Sequence, residues 1–418
     1  MIESHGWSGW WTLLIVLAIV SLFMRFDVLL SFVLLLVLAS AAVLLWSRYC
    51  LHGVAYRRRL RDERIFYGEE TELTIEVTNA KPLPLAWLGL ADRFPKGISL
   101  ITGRLVVSEA VPEKETDARE GIVPFLHDLL ALRWYERVQR TYRIRGDQRG
   151  AYWFGPATLT SGDLFGFDTR YQHVTQMDRL LVYPRVVPVQ ELGLPFERPA
   201  GEFKATRRVI EDPLRMATVR EYVPGDSIRY IHWKNSARLD QLQTKVFDPS
   251  AAPTLILFCD LQTDFRPYNY VPEYLELAIT SSASLAIHAL RARQAVGLYV
   301  NGGPSGAGHW TYVPPGRSPG QGTQILDALA PLVGFRMLPL HQLLRRSMPA
   351  LPYGSTVLAI TAYISEDLFV ALLRVQDAGH PVVLLTVGDR KPDVPGMFTT
   401  YHLGGRDAWH RLETLELA

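Results

Sequence analysis

Two apolar stretches near the N-terminus limit what this chain can become. Residues 6–24 and 28–46 each run for 19 residues, with only Arg25, Phe26 and Asp27 between them. Each is just long enough to cross a hydrocarbon core as a helix, and Trp7, Trp10, Trp11 and Trp46 fall where interfacial aromatics belong. No basic segment precedes the first stretch and no small-residue cleavage site follows it, as a signal peptide requires. A buried hairpin in a soluble body is the alternative. The expectation is a transmembrane helical hairpin over residues 1–50, seated in the lipid bilayer.

Orientation follows from charge. Arg48, Arg57, Arg58, Arg59, Arg61 and Arg64 follow the second stretch, against only Asp62 and Glu63. Positive charge so close to a span holds that flank in the cytoplasm, so a two-span hairpin leaves both termini and the body on the cytoplasmic side of a bacterial membrane. Cys50 and Cys259 read as reduced, buried thiols rather than a disulfide framework. The 418 residues allow two or three domains, and a well-mixed net charge of +2 gives no reason to expect nucleic acid as a partner.

Residues 55–187 read as β. Residues 72–78 alternate with period two, as do 134–145 and 151–159, and a short strand covers 180–183. Arg149 and Gly150 make a turn, the polar tract 108–121 a mobile loop, and 123–132 either an extra helical turn or an edge strand. Strands at this spacing predict a small sandwich. A linker over 188–217 leads to residues 218–418, where apolar strands at 254–259, 295–300, 310–313, 356–361 and 381–387 alternate with helices. Those helices are expected over 272–293 and 324–333, and from a Ser365 cap to near Gly379. Such alternation predicts a mostly parallel, doubly wound α/β sheet.

The densest chemistry lies in REYVPGDSIRYIHWKNSAR, from Arg220 to Arg238, where six charges interleave with Tyr222, Tyr230 and Trp233. Pro224 and Gly225 suit the corners of a turn, and Asp226 can cap a short helix over 227–233. So many ionic groups among aromatics predict a partly buried network in which each charge finds a partner.

This segment resembles the signature of the bacterial "domain of unknown function 58" family through Arg220, Glu221, Tyr222, Gly225, Asp226, Arg229, Trp233, Lys234, Ala237 and Arg238. Tyr142, Arg149-Gly150, Gly155-Pro156 and the run from Asp163 to Gly166 fit the same resemblance. It implies an immunoglobulin-like sandwich followed by a von Willebrand factor A-like domain. It further implies an adaptor or co-chaperone of a MoxR-type AAA+ ATPase, sometimes beside a transglutaminase-like membrane protein, acting without catalysis. The signature then either clamps the fold or forms a docking face.

Domains of the von Willebrand A type often hold Mg²⁺ through an Asp-x-Ser-x-Ser loop, a Thr and a later Asp. Here Asp260, Gln262 and Asp264 replace the loop, Thr323 fits the Thr position, and Thr361-Ala362 stands where the later Asp is expected. These residues offer oxygen ligands, so a degenerate scaffold without cofactor and a divalent-ion, adhesion-type ligand site are the two expectations there. Other chemistry lacks its motifs. No His-x-x-x-His pair, Cys cluster or Gly-x-Ser-x-Gly elbow occurs, and the glycines at 302–308 lack the Lys-Ser/Thr of a phosphate cradle. His232, beside Arg229 and Lys234, reads as a structural histidine or an acid–base group without a nucleophile.

Overall fold

The computed structural model describes residues 15–17, 19–20, 23, 27–103, 105–106, 124–163, 169–189, 216–223, 228–247, 254–266, 269–305, 308–393 and 396–415. The chain divides into two compact units, Met1–Val182 and Tyr183–Ala418.

The second apolar stretch forms the helix Asp27–Tyr49. Its 23 residues span about 34 Å at 1.5 Å per residue, and over Ser31–Tyr49 it is long and apolar enough to cross a membrane. Most of the first stretch, and with it the expected hairpin, lies outside the described residues, although residues 15–17, 19, 20 and 23 are helical.

Behind the helix come two antiparallel sheets. One orders the strands Val54–Leu60, Glu70–Asn79, Arg137–Gly146 and Ile98–Leu100. The other orders Thr169–Val174, Ala157–Gly162, Leu85–Arg93, Phe125–Leu132 and Leu105–Val106. A three-stranded ribbon joins Arg64–Phe66, Asp178–Tyr183 and Gly150–Phe154. Alternation sends Leu73, Ile75 and Val77 of the first sheet into one core with Leu88, Leu90, Leu126 and Leu159 of the second. Residues 123–132, open between helix and strand, are strand from Phe125. The single strand expected over 151–159 is two, Gly150–Phe154 and Ala157–Gly162. The break falls at Gly155, with φ of +92°, and at Pro156, which has no N–H for a ladder. Residues 108–121 are outside the described set.

One arginine of the basic cluster is not where charge alone places it. Along Val54–Leu60 burial alternates, so Arg57 and Arg59 face outward and Arg58 inward, with 2% of its surface exposed. Arg58 Nη1 donates to Asp92 at 2.5 Å and Nε to Asp178 at 2.8 Å. Its Nη2 donates to the carbonyls of Phe154 and Gln176 at 2.7 and 2.8 Å. Every arm of the guanidinium therefore has an acceptor, the condition under which a buried cation is tolerated.

The second unit is built on a six-stranded sheet in the order Thr311–Gly316, Ala295–Val300, Thr254–Cys259, Thr356–Thr361, Val382–Thr386 and Thr399–His402. Only Thr311–Gly316, at one edge, runs antiparallel. Ile256, Phe258, Val357, Ala359 and Leu384 face the helices Leu340–Ser347 and Glu366–Asp377. The helix Pro272–Arg291 packs on the same central strands. With the central strands buried along their length, the sheet is covered on both faces, as continuous apolar strands require. The helix expected over 324–333 lies at Gln321–Leu329, and Leu332–Arg336 is a strand. Ser365 caps its helix as expected, accepting from Leu368 N at 3.2 Å. Of the linker, residues 190–215 are not described.

Candidate functional site

In an open parallel sheet, ligand-handling residues gather beyond the carboxyl ends of the strands. Cys259 is in register with both Val300 and Ile360, so the next residue of each strand, Asp260, Asn301 and Thr361, meets the others at one level. Asp260 is 2% exposed. Its Oδ1 accepts from Asn301 Nδ2 at 2.7 Å and from Gln262 N at 2.9 Å. The Thr361 hydroxyl lies 2.8 Å from Oδ2 and 2.9 Å from the carbonyl of Tyr363. Asn301 Oδ1 in turn accepts from Leu261 N at 2.9 Å. Burial pushes the Asp260 carboxyl up to about 6, opposed by its hydrogen bonds from Gln262, Thr361 and Asn301 and by the charge of Arg336.

The Thr361 hydroxyl has one proton to give. When Asp260 is ionised, Thr361 donates to it. When Asp260 is protonated, the acid donates to Thr361 and Thr361 donates to the Tyr363 carbonyl. The arrangement thus stores a proton near neutrality and changes its hydrogen bonding when that proton leaves. Such perturbed groups concentrate at functional sites.

Beside it lies a cavity of about 250 Å³ lined by Leu261, Gln262, Arg266, Asn269, Gly334 and Arg336, among others. Arg336 Nη1 donates to Gln262 Oε1. Gly302 lets the strands close over this region, since a Cβ there would meet the Phe335 carbonyl at 2.4 Å.

These positions do not assemble a Mg²⁺ shell. Both Asp260 oxygens are engaged by protein groups, and Gln262 Oε1 by Arg336. The Asp264 carboxylate accepts from Arg266 N at 3.2 Å and from Asn269. Thr323 is exposed on the helix Gln321–Leu329, and Thr361 and Asn301 are the side chains that meet Asp260. Among the described residues, no group of three or more His, Cys, Asp or Glu is placed to hold an ion. The residues as arranged do not fit the cation. Millimolar Mg²⁺ is accordingly expected to leave the thermal unfolding midpoint unchanged. A Mg²⁺-dependent rise that disappears in Asp260→Ala would overturn this.

The Arg220–Arg238 segment folds as a small module of its own. Met216–Glu221 pairs antiparallel with Gln243–Phe247, and between them lie a 3-10 turn, Ile228–Tyr230, and the helix Trp233–Leu239. His232, not Asp226, caps that helix, its Nδ1 accepting from Asn235 N at 3.0 Å. Ser236 Oγ donates to the His232 carbonyl at 3.0 Å and accepts from Gln243 N at 2.8 Å. His232 is therefore structural. Pro224, Gly225, Asp226 and the Arg229 side chain fall outside the described residues.

Among the described residues of this segment, the charged side chains of the expected network lie at the surface. Arg220, Glu221, Lys234 and Arg238 are exposed, Tyr222 is half-buried, and Trp233 is 66% exposed. The buried positions are Ile231, Ser236, Gln243 and Thr244. The antiparallel ladder and the hydrogen bonds of Ser236 hold its interior.

The chain joins an apolar helix long enough to cross a membrane, a β-sandwich, and a mostly parallel α/β domain with a ribbon-and-helix module. Residues 218–396 match the model of the family described as "Protein of unknown function DUF58", and the chain carries a domain of that family. It is 25% identical over 225 residues to the "Uncharacterized protein YeaD" of Bacillus subtilis (strain 168), covering 52% of this chain and 50% of that relative. The match thus spans about half the relative's length.

Among solved structures, the CARDB domain of the PF1109 protein from Pyrococcus furiosus shares 9% identity over 31% of this chain and 91% of its own, with a TM-score of 0.20. The cohesin module of a Clostridium perfringens family 33 glycoside hydrolase shares 12% over 31% and 96%, with a TM-score of 0.19. Likenesses this slight bear on neither fold nor function.

Proposed function

We propose that the chain is a non-enzymatic, membrane-anchored adaptor that works through protein–protein contacts. Its signature module is the docking face, and its partner is a MoxR-type AAA+ ATPase, as the family resemblance implies. The α/β domain is of the von Willebrand factor A type in this reading, and the sandwich is immunoglobulin-like. The body faces the cytoplasm, which the exposed Arg48, Arg57, Arg59, Arg61 and Arg64 support.

One observation carries the proposal. Of the described signature residues, Arg220, Glu221, Trp233, Lys234 and Arg238 are exposed. Val223, Ile228, Tyr230, Trp233, Leu239 and Leu242 are all exposed on this small element, alongside Lys234 and Arg238. A Trp flanked by cations and aliphatic groups has the composition of an interface hot spot.

The test is binding of the full-length protein, in liposomes, to the purified MoxR-type ATPase of the same genome, with and without ATP. Trp233→Ala with Lys234→Glu is expected to weaken binding at least tenfold, about 1.4 kcal/mol, with circular dichroism unchanged. Unchanged affinity in the folded double variant would sink the assignment of the face. No binding by the parent protein would sink the choice of partner.

A further inference from the structure

The anchor helix does not end in a linker. Tyr49 closes it and Val54 opens the first strand; Cys50 is buried in the sandwich core, with Trp46 and Leu51 packed against it. The buried ammonium of Lys81 donates to the carbonyls of Cys50 and His52 at the helix C-terminus, where a cation suits the helix dipole. Arg170 Nε donates to Ser47 Oγ at 3.4 Å. One end of the sandwich is thus bolted to the helix as it leaves the apolar span.

The turn that carries the chain from Phe125–Leu132 in one sheet to Arg137–Gly146 in the other sits at that same end. Lys81 O accepts from Tyr135 N at 3.2 Å, and Asn79 Nδ2 donates to Arg133 O at 2.8 Å. Tyr135 is therefore two hydrogen bonds from the helix terminus. The turn reads Arg133-Trp134-Tyr135-Glu136. Trp134 is 66% exposed and Tyr135 69%, and Tyr135 holds φ of +54°, where a turn in water selects Gly, Asn or Asp. Two large aromatics on an exposed turn, one of them in a costly backbone conformation, are what an aqueous surface avoids. They are what a membrane–water interface collects. Arg133 and Arg137 flank them in the chain and Arg48 lies in the last turn of the helix; all three are exposed, Arg137 with its Nε 3.5 Å from Glu76.

We propose that this inter-sheet turn is a second membrane contact. Trp134 and Tyr135 lie in the headgroup layer of the leaflet from which the helix emerges, with Arg48, Arg133 and Arg137 against lipid phosphates. The sandwich is then held at a set height and tilt above the bilayer rather than swinging from its helix. This rests on the reading that Asp27–Tyr49 crosses the membrane, and the test separates the two.

Full-length protein is labelled with an environment-sensitive NBD fluorophore at one of three introduced cysteines: Trp134→Cys, Leu38→Cys within the helix, or Met177→Cys. Met177 is exposed and follows the edge strand Thr169–Val174 away from its Arg170 end. The native Cys50 and Cys259 are buried, so labelling is selective. Each protein is placed in vesicles of phosphatidylethanolamine and phosphatidylglycerol containing spin-labelled lipids that quench at shallow or deep positions. The expected result is deep quenching at 38, a blue shift with shallow quenching at 134, and a water-like signal at 177. Deep quenching at 38 with a water-like signal at 134 would overturn the contact and leave the anchor standing. Absence of quenching at 38 would overturn the anchor and this contact with it. In uncharged phosphatidylcholine vesicles the shallow quenching at 134 is expected to fall, and an unchanged value would overturn the part assigned to the arginines.

Discussion

Replacing Arg58 with methionine is expected to destabilise the sandwich by about 3–5 kcal/mol, because it strips the cation from carboxylates that folding has taken out of water. The Asp92 side chain is 2% exposed and that of Asp178 is 28%. Tyr56 adds a hydrogen bond to Asp92 at 2.6 Å, too little to carry a full charge. Methionine matches the stem of arginine but offers no donor, leaving the Phe154 and Gln176 carbonyls unpaired as well. Arg58→Lys is expected to fall between, since an ammonium keeps the charge and loses the planar fork that reaches four acceptors. Hydrogen exchange of the slowest amides in Glu70–Asn79 reads the effect within this unit. A loss below about 1 kcal/mol would mean that the network is relaxed by water or by rearrangement.

Asp260→Asn is expected to act in the opposite direction, and only at neutral pH. The folded chain holds this carboxyl at about 6 against an ordinary 3.8. Between those values the native state binds a proton that the unfolded chain has released, so this group's contribution to stability falls as pH rises through that window. The full shift corresponds to about 3 kcal/mol. Asparagine keeps an oxygen for Asn301 and Gln262 N and donates to Thr361 at every pH. The variant is thus expected to exceed the parent by about 2–3 kcal/mol at pH 7.5, with the difference vanishing near pH 4. Exchange of the Thr254–Cys259 amides across this range measures it. A difference that does not change with pH would show that ionisation of Asp260 is not its source.

Much of this architecture was legible in the residue pattern. Residues 254–259, 295–300 and 356–361 appear as strands with the expected bounds, because a run buried on both faces has to be apolar along its whole length. The Asp260 cluster was half-legible. Asp260 and Asn301 are each the first residue after such a run and Thr361 is the last of its own, and parallel pairing in register would have brought the three together. Thr323 was chosen from the family pattern instead, and it lies on a helix that presents it to solvent.

The signature was legible as a motif, but the exposure of its described charges was not. Alternating charge and aromatic side chains fit a buried network and a wet docking face equally well, and sequence carries no measure of exposure. Arg58 shows the same limit from the other side. Among six neighbouring arginines it is chemically identical to the rest. It faces inward by the parity of its strand and is tolerated there by Asp92 and Asp178, 34 and 120 positions away.

The chain's own residue order settled where it can cross a membrane, where its strands and helices run, and which family domain it carries. Those properties follow from local periodicity, apolar burial and motif. Which charges lie inside, which strand ends hydrogen-bond to one buried carboxyl, and which aromatics remain outside were settled by the folded arrangement. A buried charge is permitted or forbidden by partners that only long-range pairing brings within a few ångströms.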